Sequence, residues 1–343
     1  VAYLSFGAVI EKEKLSEYLE YLRRCILTPY RERGLRLSSV KISGGEPLLL
    51  GDGFLQLVSA VSGLADHVYV ESNATLLDER SAAELAKYRG KLLFAVSIDG
   101  FEETHDTIRG VPGAFARALR EALTLKKEGL LSQVVTVVQH ENLREVAKLA
   151  VHLWKLLQVP VRLLLPVRLG RGEALYASVD DARMLFDTCV NALRRLKEAG
   201  VPFSHNIPPA LLPKDLWSAM SAQDCGWGRS IVGVLPSLDV ALCGDVQERE
   251  LVYGNLRDGD LFSILARSEL ARRLASIDRA SKRGVCRYCL AWKICRGYCP
   301  AESYHVYKEL KAPGALCQEF FNVGLFPDYA LEEGAPREEI QYP

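Results

Sequence analysis

The sequence predicts an α/β protein, a parallel sheet flanked by helices, followed by a small cysteine-rich domain. Three observations predict it. From residue 39 to about 200, short apolar β-branched runs alternate with amphipathic helical stretches. Repeated βα units of this kind imply a parallel sheet with helices on its outer side. Seven of the nine cysteines fall in the last third of the chain. Between the two regions lies a proline-containing stretch, Asn206 to Lys214, which reads as a linker.

A helix is expected first, at about 13–28, with Leu15, Leu19, Leu22 and Ile26 on one face. No strand signal precedes it, and a βα series opens with a strand, so the first strand is expected upstream of Val1. Candidate strands are Val40–Ser43, His67–Glu71, Leu92–Ile98, Val134–Val138 and Val161–Leu165. Between them, Phe54, Leu57, Val58 and Val61 share one helical face, as do Val146, Leu149, Ala150, Leu153 and Leu157. The last helix of the series runs about 179–198, with Ser178 as its N-cap. The tail after Phe326 is acidic, contains proline and is expected to be peripheral.

Bulk composition narrows the function. The 343 residues are enough for one large domain and one small one. Acidic and basic residues balance at 43 each, so the basic excess of a nucleic-acid binder is missing. A hydrophobic share of 49% suits a sizeable core. No apolar run reaches the roughly 18–20 residues that span a bilayer, and no signal peptide opens the chain. Clustered cysteines in a long chain without such a signal point to thiolate ligands in a reducing cytoplasm, not to disulfides.

The strongest local signal is Cys286-Arg-Tyr-Cys289, then Cys295, Cys299 and, after a gap, Cys317. Upstream stand Cys225 and Cys243, followed by Gly254-Asn255-Leu256. Thiols this dense must converge on something, and seven suggest two sites. Zinc takes four thiolates in a closed tetrahedral site, and an iron–sulfur cluster also takes four; spacing leaves both open. Cys25 and Cys189 lie on apolar helix faces and read as small buried hydrophobes.

The cysteine pattern resembles the SPASM domain of radical SAM enzymes. Its second half, C-x2-C-x5-C-x3-C and a final cysteine, matches throughout. The first half departs: Leu238 stands where the pattern has glycine, and the Cys225–Cys243 interval is slightly long. The resemblance implies that Cys286, Cys289, Cys295 and Cys317 hold one auxiliary [4Fe–4S] cluster. Cys225, Cys243 and Cys299 would hold a second, with a fourth ligand that is missing or not cysteine.

Upstream motifs agree. Lys41-Ile42-Ser43-Gly44-Gly45-Glu46-Pro47 ends a predicted strand, and its glycines let backbone approach a ligand closely. In parallel βα arrays, ligands bind at the carboxyl ends of strands. The segment resembles the GGEP motif of radical SAM enzymes, which implies that Gly44, Gly45 and Glu46 meet the amino group of S-adenosyl-L-methionine (SAM). Glu71-Ser72-Asn73-Ala74-Thr75, Val96-Ser97-Ile98-Asp99-Gly100 and His105-Asp106-Thr107-Ile108-Arg109-Gly110 follow in order. By the same resemblance Asn73 lies near the pocket, Ser97 and Asp99 face the ribose, and Arg109 faces the carboxylate. The chemistry suits this: vicinal hydroxyls fit a Ser or Asp acceptor, and a carboxylate fits a guanidinium fork.

The resemblance implies a partial (β/α)6 TIM-like barrel over 1–205, a SPASM domain over 215–325 and a tail over 326–343. It implies SAM and [4Fe–4S] clusters as cofactors, one of them a SAM cluster on a C-x3-C-x2-C loop. No such motif occurs in this sequence. Val1-Ala2-Tyr3 resembles the end of that loop, with Ala2 where its third cysteine belongs. Three explanations stay open: an upstream pair with a Cys→Ala change, a motif wholly upstream, or a degenerate member without radical chemistry. The expected activity is reductive cleavage of SAM to a 5′-deoxyadenosyl radical that modifies a peptide or protein. Haem or other cofactor biosynthesis and a non-catalytic scaffold are the alternatives. A ferredoxin or flavodoxin is the expected electron donor. Asp245, two residues past Cys243, lies near the place where some relatives keep a catalytic acid.

Overall fold

The computed structural model describes residues 2–6, 12–219, 225–246 and 248–342. The chain divides into two compact units. The first holds residues 1–135, 155–159 and 228–272; the second holds 136–154, 160–227 and 273–343.

In the first unit the strands are β1 (Ala2–Phe6), β2 (Leu37–Gly44), β3 (Ala65–Ser72), β4 (Leu92–Ser97) and the start of β5 (Leu131–Val137). β1 to β5 pair in sequence order, all parallel. The βα rhythm dictates this, because each return helix brings the chain back to start the next strand in the same direction. The sheet alternates in burial. Val40, Ile42, Val68, Val70, Phe94 and Val96 are fully buried. They lie on the side covered by helices such as Asp52–Ser62, whose Phe54 ring stands 6.1 Å from that of Phe94. The opposite face carries Lys41, Tyr69, Glu71 and Ser97, all with some solvent contact.

Two local features differ from expectation. The first strand, expected upstream of Val1, is Ala2–Phe6 (β1), so Ala2 and Tyr3, read as the end of a loop, lie in a strand parallel to β2 and to residues 232–234. The expected helix at 13–28 is Lys12–Leu22, a five-residue π-helical turn at Arg23–Leu27, then Thr28–Glu32. The π turn keeps Cys25, Ile26 and Leu27 all buried, which a regular 3.6-residue period does not do for three consecutive side chains.

Three short strands complete this unit: β8 (Val232–Val234), β9 (Asp239–Ala241) and β10 (Val252–Asn255). β8 extends the sheet beyond β1 in parallel; β9 and β10 add antiparallel strands. Leu238, where the cysteine pattern has glycine, turns between β8 and β9 with φ +69°.

The second unit contains β6 (Val161–Leu164) and β7 (Phe203–His205), which are parallel, and the helix Val179–Glu198. Ser178 caps that helix through the Asp181 amide, as its position in the sequence predicts. Its apolar face packs with the helix Ala315–Asn322; the rings of Phe186 and Phe320 meet edge to face at 5.2 Å. Cys189 is fully buried in this core, and Cys25 is buried in the first unit.

The tail after Phe326 is corrected from peripheral to integral. Ala330 and Ile340 are buried in the core of the second unit. The Ala330 carbonyl accepts from Leu290, the Ile340 carbonyl accepts from Gln318, and residue 331 bridges to Cys289. Charge and proline in the tail masked a few apolar anchors spaced widely along it.

Candidate functional site

The motif residues at the carboxyl ends of β2, β3 and β4 lie together in the first unit. Gly44 ends β2 with φ +153°, backbone that favours glycine. Gly45 faces open space: a Cβ built on it would meet nothing within 4 Å. Glu46 then caps a short 3₁₀ turn at Pro47–Leu50.

Glu46 is occupied by the protein itself. Its Oε1 accepts from Ser72 Oγ at 2.7 Å and from the Leu48 amide at 3.1 Å, and its Oε2 accepts from the Asn73 amide at 2.8 Å. The carboxylate therefore ties the end of β2 to the turn after β3. That turn is held in its own right: Ser72 Oγ accepts from Ala74 N, and Asn73 Oδ1 accepts from both N and Oγ1 of Thr75. Ala74 has φ +57°, left-handed backbone that these bonds hold in place.

Asp99 and Arg109 face each other. Asp99 follows β4 and is 4% exposed; Arg109 ends the helix Glu102–Arg109 and donates to Asp99 Oδ2 at 2.5 Å. The Asp99 amide donates to Nδ1 of buried His105, so the imidazole is neutral and aims its lone pair inward. Burial and the Arg109 charge lower the pKa of His105, which favours that state. Asp106 accepts from the amides of Gly113 and Phe115, which holds its carboxyl below the usual range and fixes the entry into the next helix. His105 is thus a frame residue. Arg109 Nε is buried without a hydrogen-bond partner among the described residues. A buried guanidinium donor left over is the kind of group that an anionic ligand would satisfy. Ser97, the last residue of β4, is partly exposed beside this site.

Sequence reading singled out Asp245 but passed over the charged pair that acts on it. On the open face of the sheet, Lys41 pairs with Glu71 at 2.7 Å across β2 and β3. Asp245 acts on both: crowding by protein raises its carboxyl pKa, Lys41 opposes the rise, and Glu71 adds to it. The signal was present. A parallel strand covered on both faces reads as continuously apolar, so Lys41 and Glu71 inside Val40–Ile42 and Val70–Ser72 mark a face left open.

The cysteines divide between the units. In the second, Cys286, Cys289, Cys295 and Cys317 are all buried and line one pocket with Trp292, Gly297, Tyr298 and Gly314. Burial raises every one of these thiols, Cys289 to about 12, and Cys286 adds to the rise at the other three. The shared pocket is what brings the four thiols into one neighbourhood. Among the described residues, no three His, Cys, Asp or Glu side chains form a ready single-ion site. Cys299 caps the helix Pro300–Tyr307 and Cys225 is exposed, both in the second unit. Cys243 lies in the first, where Gly233 of β8 packs so closely that an added Cβ would fall 2.3 Å from the Cys243 backbone.

Glycines at the end of β2, Arg109 held against Asp99 and a pocket lined by four thiols are what the structure brings together. Residues 28–153 match the radical SAM superfamily, a group of enzymes whose cofactors are SAM and [4Fe–4S] clusters.

Among curated proteins, the AdoMet-dependent heme synthase of Methanosarcina barkeri is 29% identical over 276 residues, covering 77% of each chain. The Fe-coproporphyrin III synthase of the same organism is 29% identical over 48% of this chain and 41% of its own. Among solved structures, native anSMEcpe with bound AdoMet and a Cp18Cys peptide aligns with a TM-score of 0.67. That alignment covers 93% of this chain and 94% of the other at 18% identity. The likeness bears out the fold class, a partial TIM-like barrel with a cysteine-rich C-terminal part. No helix among the described residues is long and apolar enough to cross a membrane.

Proposed function

We propose that this chain performs radical SAM chemistry on an iron porphyrin. The observation that carries the reading is the extent of the similarity to a heme synthase. It covers 276 residues, far beyond the 28–153 segment shared by the superfamily, and so reaches parts outside the SAM-binding strands. The open face of the first unit supports it: Tyr69 is 37% exposed and offers a flat apolar surface beside Lys41 and Glu71.

In this reading Gly44, Gly45 and Asn73 present backbone to the methionine part of SAM, Arg109 takes its carboxylate, and Ser97 and Asp99 take the ribose. Glu46 frames the pocket. Cys286, Cys289, Cys295 and Cys317 hold one auxiliary [4Fe–4S] cluster. Four thiols set around a pocket suit a multi-iron core better than one zinc ion, which draws its ligands to a single point. A SAM cluster, whose C-x3-C-x2-C ligands this sequence does not contain, would supply the electron that cleaves SAM, with a ferredoxin- or flavodoxin-type protein as its donor. The protein positions substrate and excludes water.

A peptide substrate is the second reading, favoured by the likeness to a structure holding a peptide. One experiment separates them. The complete gene product is reconstituted anaerobically, reduced, and given SAM with iron–coproporphyrin III. Porphyrin-dependent 5′-deoxyadenosine and a porphyrin of changed mass are expected. If 5′-deoxyadenosine forms at the same rate with and without porphyrin, the porphyrin reading fails.

A further inference from the structure

The pocket lined by Cys286, Cys289, Cys295 and Cys317 has a cation in its wall. Lys282 is 2% exposed. Its Nζ donates to the Ala312 carbonyl and packs against Gly297, where an added Cβ would fall 3.4 Å from the nitrogen. Gly297 itself lines the pocket and lies between Cys295 and Cys299. Burial lowers the pKa of Lys282, and the neighbouring thiols of Cys286 and Cys295 oppose that fall. No carboxylate forms an ion pair with it among the described residues; Glu309 acts from further off and is already paired with Arg283 at 2.7 Å.

A buried ammonium with only a backbone carbonyl for company is costly, because no opposite charge replaces its lost hydration. Neutral thiols do not supply one. Four thiolates on an iron–sulfur core do: the assembly is anionic and gains a further negative charge on reduction. A fixed cation at this position stabilises both states and the reduced state more, since net local charge is one of the levers that set cluster potential.

We infer that Lys282 is a positioning charge for the cluster bound by Cys286, Cys289, Cys295 and Cys317, and that it raises the reduction potential of that cluster. The inference rests on the auxiliary-cluster reading proposed above. Arg279 provides the contrast. It acts on Cys289 but is partly exposed and paired with Glu332, so neutralisation and solvent screening leave it little influence.

The test is a redox titration followed by electron paramagnetic resonance on the whole reconstituted protein. The relevant signal is the one lost in C317S. K282Q keeps an N–H for the Ala312 carbonyl and removes the charge. It should bind wild-type iron and make one-electron reduction at least tenfold less favourable, a drop of about 59 mV. K282R should restore the wild-type potential to within about threefold in that equilibrium, and R279Q should leave it within about twofold. If K282Q does not fold, K282M fills the same volume with no buried polar atom and carries the same expectation. A loaded cluster whose reduction equilibrium stays within twofold in K282Q or K282M overturns the inference, as does an equal shift in R279Q. Wild-type protein that takes up no iron overturns the cluster reading instead, and the inference with it.

Discussion

Removing the Glu46 carboxylate tests whether that group serves the frame or the ligand. The structure gives it three donors: the Ser72 hydroxyl and the amides of Leu48 and Asn73. A hydrogen bond to a charged group contributes about 1.5–3 kcal/mol net in a buried setting. Glu46 is half-buried, so water replaces part of each bond, and about 1 kcal/mol apiece is a fair figure. E46A should then cost about 3 kcal/mol, roughly a 150-fold change in the folding equilibrium. E46Q should cost about half as much. Its amide oxygen can still accept on the Ser72 and Leu48 side, but its NH2 then faces the Asn73 N–H, donor against donor. The assay is urea unfolding of the apo protein, read from midpoint and slope, alongside SAM binding by calorimetry. Stability and affinity should fall together and in the order wild type, E46Q, E46A. If E46Q keeps full stability and loses SAM binding, the frame argument is wrong and the carboxylate works on the ligand directly.

Three further outcomes follow from the same geometry. G45A should leave stability within about 0.5 kcal/mol, as for substitutions that disturb no packing, because the added methyl meets open space. It should weaken SAM binding at least tenfold, and unchanged affinity would remove Gly45 from the site. C289S should lower iron content and absorption near 400 nm by one cluster's share while the apo fold persists, and unchanged iron per chain would clear Cys289 of a ligand role. His205 should make the fold acid-sensitive. Burial lowers its pKa to about 4, against about 6.5 when unfolded. The unfolded chain therefore binds the extra proton first. The stability linked to neutral His205 is complete above pH 6.5 and declines as the pH falls toward 4, by about 2 kcal/mol at pH 5. H205N should remove that part of the pH dependence in urea midpoints measured at pH 7 and 5; an identical slope would assign the acid sensitivity to other groups.

The parts of this protein that repeat over a few residues were legible in the sequence. The alternation through Val40, Ile42, Val68 and Val70 and the helical faces at 54–61 and 179–198 announced a parallel α/β array. Of the five cysteines from Cys286 to Cys317, the resemblance grouped Cys286, Cys289, Cys295 and Cys317, and those four line one pocket. Where local pattern was irregular, the reading slipped: at β1, at the π turn over Arg23–Leu27 and in the tail that buries Ile340.

What the sequence by itself determined is the kind of backbone and the supply of chemistry: βα units, glycines at a strand end, cysteines at metal-binding intervals. Periodicity and spacing are local, so one chain read in order contains them. Only the tertiary structure decided how the polar groups spend their bonds. Glu46 faces Ser72 and Asn73, Asp99 takes Arg109, Lys41 meets Glu71 and Asp245, and Lys282 points at a cysteine pocket. Each of these pairings joins separate elements, and its geometry depends on strand order, register and the depth to which each side chain is buried. Those quantities exist only once the chain has closed on itself.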